Sequence, residues 1–299
     1  LAPECPVLAP WKCWDLTGRI DLIRLLRENG IEEDFAVTKD FSMDENLWHL
    51  SVEGGPLEDP SADLDVQRVL DAVKDRFAGG VKKPAPSRPV RIEFKNGVPV
   101  AFDGQPQTPM GLIEILNERF RAAPWAWDLV IENRFTGIKS RGLYINPAAK
   151  LLHTAVDALA RCCLNKPTYD AYVELGRQYG QLLYRGEYFS TQTQLIESAA
   201  LAVMKELSGT VEVSFVPALY VSKIDAPDAI FRKQLATFEK SDYSHADAAG
   251  FIKLNWLSHI GKSNEEAVHA DLMEAGIERP SGVRPDQRKP ERRLVPAVP

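Results

Sequence analysis

The chain is poor in cysteine, histidine and long apolar runs, and each scarcity excludes a class of chemistry. Four cysteines occur in 299 residues, at Cys5, Cys13, Cys162 and Cys163. The last two are adjacent within the helical pattern "LLHTAVDALARCCL", so their side chains leave the helix in different directions and do not readily share a disulfide or a metal. Reduced thiols of a cytosolic protein are the expectation. The five histidines are scattered, with no HExxH and no paired CxxC. No metal site is expected. No apolar run approaches the ~20 residues that cross a bilayer, and no signal peptide is expected. These absences point to the cytoplasm and to no membrane partner. Positive charge is also short: 36 Lys and Arg against 42 Asp and Glu give a net charge of −6, which argues against a nucleic-acid surface built on clustered cations.

What is present is ordinary for a folded protein. Hydrophobic residues make up 44% and charged residues 26%, enough for a real core, in a length that holds one large domain or two ordinary ones. "VLAP" (Val7 to Pro10) reads as a short buried strand. "TGRIDLIRLLRENG" follows it with Ile20, Ile23, Leu26 and Arg27 at helical spacing and Gly30 as a C-cap. One strand and one helix cannot bury both faces, so they read as the last unit of an α/β sheet.

From Arg88 to Gly104, apolar and polar residues alternate on both sides of Asn96-Gly97, a strong hairpin signal. Ala78 to Pro89 has the Gly, Lys and Pro content of a surface loop. Helical patterns cover Met110 to Ala123, Pro147 to Leu164 with Asn146 as N-cap, Pro167 to Tyr184, and Thr191 to Leu207. A strand pair follows between Gly209 and Lys223. The expected class is α+β. After a helix-like stretch from Asn264 to Gly276, the Pro- and Arg-rich tail lacks core-forming periodicity and reads as disordered, with an arm that orders only on a partner as the alternative.

Two polar clusters stand out against this background. "ENRFTGIKSRGLY" (Glu132 to Tyr144) joins a carboxylate, cations, glycines and a tyrosine to the apolar run "DLVI". "FSMDENLWHLSVEGGPLEDP" (Phe41 to Pro60) mixes hydroxyls, carboxylates and glycines with apolar residues. A solvated turn carrying Lys139 and Arg141 accounts for the first as well as a cleft does, because charged loops are common. In the cleft reading, Glu132 ends a buried strand and holds a cation, while Gly137 and Gly142 let the backbone approach a ligand.

Taken in order with "VLAPW", "LLYRGEYF" (Leu182 to Phe189) and "AGFIKLNWL" (Ala249 to Leu257), these clusters resemble argininosuccinate synthase over about residues 1 to 260. The resemblance implies an ATP-dependent carbon–nitrogen ligase that joins citrulline to aspartate, cleaving ATP with Mg to AMP and pyrophosphate, in a cytoplasmic homotetramer. It implies residues 1–36 as the remnant of an α/β nucleotide-binding domain, 37–262 as a synthetase domain for citrulline binding and oligomerisation, and 263–299 as a C-terminal helix and disordered tail. The family's Gly-rich SGGLDTS loop and GKGND segment have no counterpart here. No ATP-binding residue is therefore expected in this chain, which would supply the acceptor-binding portion.

The family's citrulline contacts map onto Ser42, Ser51, Glu132 and Tyr144. Their chemistry suits an amino acid, since a carboxylate pairs with an α-ammonium and hydroxyls both donate and accept. Each also has a structural alternative: Ser42 as a cap, Ser51 as a hydroxyl satisfied by backbone, Glu132 as an ion-pair partner of Arg134 or Arg141, Tyr144 as a core ring. No catalytic residue is assigned, and Lys139 and Arg141 receive no role. Three departures bear on substrate. Pro124-Trp125-Ala126-Trp127 stands where small residues and an Arg are usual, Tyr144-Ile145-Asn146-Pro147 replaces Tyr-Glu-Thr-Pro, and Lys12 replaces an Arg. A divergent ligase using another ureido or amide acceptor, and a non-catalytic assembly module, are the alternatives.

Overall fold

A computed structural model describes residues 4–31, 41–73, 88–216, 218–229 and 244–257. The chain divides into two compact units, residues 1–231 and 232–299. The expected helix from Asn264 and the tail beyond it lie outside the described residues.

The first unit is α+β and contains two antiparallel sheets. The smaller is four-stranded, in the order β1 (Ser42–Glu45), β2 (Leu50–Glu53), β7 (Lys139–Ile145), β6 (Trp127–Asn133). The larger has the order β5 (Gln105–Pro106), β4 (Val98–Phe102), β3 (Val90–Lys95), β8 (Gly209–Ser214), β9 (Tyr220–Asp225). Asn96 and Gly97 both have positive φ, 51° and 73°, as a two-residue turn of the β3–β4 hairpin demands.

Helix α1 (Arg19–Glu28) forms where its spacing indicated and ends at Gly30 with φ of 69°. The buried strand expected at "VLAP" does not form. Val7 and Leu8 are 90% and 86% exposed, and the chain turns directly into a 3-10 helix at Pro10–Lys12. A strand needs a neighbouring ladder for its backbone groups, and no described strand pairs with this stretch.

The described residues of the unit also form α2 (Val66–Val73), α3 (Pro109–Phe120), α4 (Pro147–Cys163), α5 (Lys166–Tyr184) and α6 (Thr191–Met204). The larger sheet packs Val90, Ile92, Val211 and Val213 against Leu112, Leu116 and Phe120 of α3 and Leu151 and Leu159 of α4. The alternating burial of β3 is the period-2 signature of a sheet buried on one face. A second core joins Leu50, Val52, Leu143 and Ile145 of the smaller sheet to Val69 and Val73 of α2 and to Leu57.

Asn165 and Ser190 cap α5 and α6 by accepting from the amides of Thr168 and Thr193. Asn146 sits at the N-cap position of α4 but forms no cap bond, and its buried Oδ1 has no partner. Asn117 of α3 serves instead. Its Oδ1 accepts from Ala148 N at 3.2 Å, while its Nδ2 donates to the Leu47 carbonyl at 2.7 Å. One side chain thus ties α3, the start of α4 and the β1–β2 turn together.

In the second unit, α7 (His245–Leu257) exposes Phe251, Ile252 and Leu254. No described helix is long and apolar enough to cross a membrane.

Candidate functional site

Strand register decides which polar residues of the two clusters share a surface. "SMDENLWHLSVE" is a hairpin in which β1 pairs with β2, Ser42 opposite Glu53 and Asp44 opposite Ser51. Its turn is shaped by Asn46, whose Oδ1 accepts from the amides of Trp48 at 2.8 Å and His49 at 3.0 Å. β2 pairs with β7, Ser51 opposite Tyr144, and β7 pairs with β6, Tyr144 opposite Asp128 and Ser140 opposite Glu132. Paired residues of an antiparallel sheet point to one side, and alternate residues return to it. Ser42, Ser51, Glu132 and Tyr144 therefore lie on one face, together with Glu53 and Ser140. The opposite face carries Leu50, Val52, Leu143 and Ile145 into the second core.

Glu132 is the hub of the polar face. Tyr144 Oη donates to Glu132 Oε1 in a short hydrogen bond. Arg134 Nε donates to Glu132 Oε2 at 2.9 Å, and Arg134 Nη2 reaches Glu53 Oε2 at 2.8 Å. Of the alternatives for Glu132, pairing with Arg134 is realised and pairing with Arg141 is not. The hydrogen bond from Tyr144 holds the Glu132 carboxyl below the usual carboxylate range, with Arg134 acting in the same sense and burial opposing. The Tyr144 hydroxyl is pushed well above its ordinary value, first by burial and then by Glu132. The carboxylate is ionised and the phenol protonated at neutral pH.

Hydrogen-bond direction gives the face its character. Tyr144 has one proton and spends it on Glu132, so toward a ligand its oxygen can only accept. Ser51 Oγ spends its proton on the Asp44 carbonyl at 3.3 Å. With Glu53 and Glu132 these form a surface of acceptors. Among the described residues Arg134 is the one cation paired with either carboxylate, so two negative charges face one positive charge. Such a surface suits an ammonium or another N–H donor.

The environment of Tyr144 was not evident from composition. The His49 ring meets it edge-on, centroids 5.5 Å apart. Gly142 lies beneath it: a Cβ there would come within 2.5 Å of Glu132 Oε1 and 2.7 Å of Tyr144 Cε2. The glycine thus makes room for these two side chains rather than for the backbone's approach to a ligand. Gly137, by contrast, serves the β6–β7 turn with φ of 82°. Glu53 and Arg134 were both within the quoted clusters. The available signal for Glu53 was its period-2 relation to Ser51.

Arg141, expected in a solvated turn, is buried. It is 8% exposed and points to the opposite face, donating to the carbonyls of Pro56, Pro60 and Ala62. Its role is to fasten the loop after β2. Lys139 donates to the Asn133 side chain.

The departures from the family pattern also lie away from the polar face. Trp125 packs with Phe120 and Phe215 at centroid distances of 5.3 and 6.2 Å. Trp127 and Ile145 are register partners that belong to the second core. Lys12 is exposed in the 3-10 helix.

A separate cavity of about 750 Å³ lies between α4, α5 and α6, with walls that include Val156, Tyr172, Ile196, Leu201 and Met204. It shares no lining residue with the polar face. His153 on its wall contacts Trp48 of the β1–β2 turn, ring centroids 6.2 Å apart.

Comparison with known proteins identifies the family of the chain. The family profile described as Arginosuccinate synthase C-terminal domain matches residues 41–260. Argininosuccinate synthase of a Nitratiruptor species is 34% identical over 267 residues, covering 87% of this chain and 64% of the relative. That of Nitratidesulfovibrio vulgaris is 36% identical over 262 residues, covering 86% and 63%. That of Caldicellulosiruptor saccharolyticus is 31% identical over 275 residues, covering 91% and 67%. The chain belongs to the argininosuccinate synthase family, and it spans about two thirds of the length of these curated relatives.

Proposed function

We propose that this chain supplies the acceptor-binding face of an argininosuccinate synthase-type ligase, in which citrulline is joined to aspartate at the expense of ATP. The observation that carries the reading is the convergence of Ser42, Ser51, Glu132 and Tyr144 on one face of the smaller sheet, with the hydroxyl protons of Ser51 and Tyr144 already spent on the Asp44 carbonyl and Glu132. In the reaction, the ureido carbon is a poor electrophile because nitrogen lone pairs feed into it. Transfer of AMP to the ureido oxygen, with release of pyrophosphate, turns that oxygen into a leaving group. The aspartate amine then attacks the carbon and loses a proton, and AMP departs with the electron pair of the C–O bond.

On this reading Glu132 and Tyr144 receive the α-ammonium of citrulline. Glu132 retains acceptor capacity beyond Tyr144 and Arg134, since a carboxylate offers about four lone-pair sites. Their contribution is positioning, which lowers the barrier by fixing the acceptor before chemistry. The face does not fit a triphosphate, because its carboxylates repel phosphate. Nor does it fit Mg, because Arg134 bridges Glu53 and Glu132 where a divalent cation would compete. ATP and Mg are assigned to residues outside this face. Packing of Trp125 and Trp127 against the cores, and burial of Ile145 within one, favours citrulline over another acceptor, since none of the three shapes the polar face.

Titration of the chain with L-citrulline and with Nα-acetyl-L-citrulline, followed by NMR, tests the reading. Acetylation removes the ammonium, a loss of roughly 1.5–3 kcal/mol for a charge-assisted hydrogen bond, or about one to two decades in affinity. Equal binding of the two compounds, or binding of neither, overturns it.

A further inference from the structure

We infer that Arg134 is a positioning residue of the acceptor site, anchored by Glu53, which aims the Glu132 carboxylate at the ammonium of the bound amino acid. The inference rests on the acceptor reading above and adds two residues to it.

The geometry is that of a strap across the sheet. Glu132 belongs to β6 and Glu53 to β2, and β7 runs between them. Strands two apart are about 10 Å apart at the backbone, so the two carboxylates meet only through a long side chain. Arg134 supplies it from the position just after β6. Its Nη2 is 2.8 Å from both Glu53 Oε2 and Glu132 Oε2, and its Nε donates to Glu132 Oε2 at 2.9 Å. Without the guanidinium, two like charges brought this close repel and splay apart.

The strap also determines which oxygen does what. With Oε2 of Glu132 engaged by Arg134, Oε1 is the oxygen that meets Tyr144. The carboxylate plane is fixed at both ends. Gly142 leaves the space for this arrangement, since a Cβ there would strike Glu132 Oε1. An arginine suits the task better than a lysine, because its planar fork directs N–H groups to two carboxylates at once. Glu53 contributes by holding the far end of the fork, so its effect on ligand runs through Arg134.

The test is a set of variants, R134Q, R134K, E53Q and the double variant E53Q/R134Q, titrated with L-citrulline and Nα-acetyl-L-citrulline, with thermal melts run in parallel. R134Q is expected to weaken citrulline at least about tenfold and to erase the preference for citrulline over the acetylated compound. R134K should recover part of that preference. E53Q should weaken citrulline less than R134Q does, and the double variant should be no weaker than R134Q alone, because Glu53 acts through Arg134. A merely structural arginine would lower the melting midpoint and leave the preference intact in every folded variant. That result overturns the inference, as does tighter citrulline binding by R134Q, which would make Arg134 a competitor of the ligand. Should R134Q fail to fold, R134K and E53Q carry the same comparison. Failure of the unmodified chain to bind citrulline overturns the acceptor reading and the strap together. Binding by the unmodified chain with the preference retained in the variants overturns the strap alone.

Discussion

The Tyr144 hydroxyl donates its one proton to the Glu132 carboxylate, and the consequences of that bond can be measured one residue at a time. Glu132→Gln keeps the shape and removes the charge. If the carboxylate receives the ammonium, citrulline affinity should fall by about one to two decades. If it serves Arg134 alone, the unfolding midpoint should drop with citrulline binding unchanged. Acid titration gives an independent check. The Glu132 carboxyl lies below its ordinary value of 4.5 in the folded chain. Its contribution to stability is therefore present above that value and is lost as the pH falls through the folded-state value. Melts between about pH 3 and 7 should show a loss of stability on acidification that is smaller in Glu132→Gln. Gly142→Ala belongs at this scale too. Its backbone is not in the left-handed region, so any cost is steric: the new methyl would push Glu132 and Tyr144 apart. The variant should lose citrulline binding while keeping its secondary structure by circular dichroism.

Among elements, the informative case is the junction made by Asn117. Asn117→Ala leaves the Ala148 amide and the Leu47 carbonyl without their partner; Leu47 is exposed, so the cost falls on the buried Ala148 amide, about 1–3 kcal/mol for a buried group left unsatisfied. The urea midpoint should fall accordingly. This junction also marks the boundary of what could be read from the chain. Asn96-Gly97, the four helical patterns from Met110 to Leu207 and the strand pair after Gly209 were legible because their signals are local: a turn needing positive φ, a 3.6-residue period, an alternation. Asn146 was legible as a cap by position. The bond comes from Asn117, which lies in another helix and shares no local pattern with α4. Arg141 is the same kind of case. Its charge and glycine neighbours read as a solvated turn, yet the carbonyls it serves lie some eighty residues away in β2's following loop. Of the four residues proposed for the acceptor site, Glu132 was also marked by its neighbours in the chain, whereas Ser42, Ser51 and Tyr144 were visible only through resemblance. Their common face depends on register, which a turn of unknown length leaves undetermined, and "VLAP" shows that apolarity alone does not make a strand where no partner is supplied.

At the scale of the whole molecule, α5 and α6 leave several large apolar side chains open to solvent. Leu195 and Leu201 are 69% and 59% exposed, with Val173 and Leu183 also open to solvent. Exposed apolar side chains gathered on two neighbouring helices suit an interface, and we propose that copies of the chain associate through them. Light scattering at micromolar concentration should show a species larger than a monomer. Leu195→Lys combined with Leu201→Lys should shift it toward the monomer without lowering the helical signal.

Strand β7 carries two unrelated jobs on alternate residues: Ser140, Gly142 and Tyr144 on the polar face, Arg141, Leu143 and Ile145 on the other. Such a strand is intolerant of slippage, because moving it by one position exchanges the two sets wholesale. A single-residue deletion between Phe135 and Ile138 that was transmitted along the strand would bring the Arg141 guanidinium to the surface reserved for acceptors and send Tyr144 into the packed side. Loop fastening and the proposed ligand recognition would fail in the same event, although neither set of residues had been altered. The length of a five-residue connection, Arg134 to Ile138, is thus as much a determinant of the site as the identity of any side chain in it.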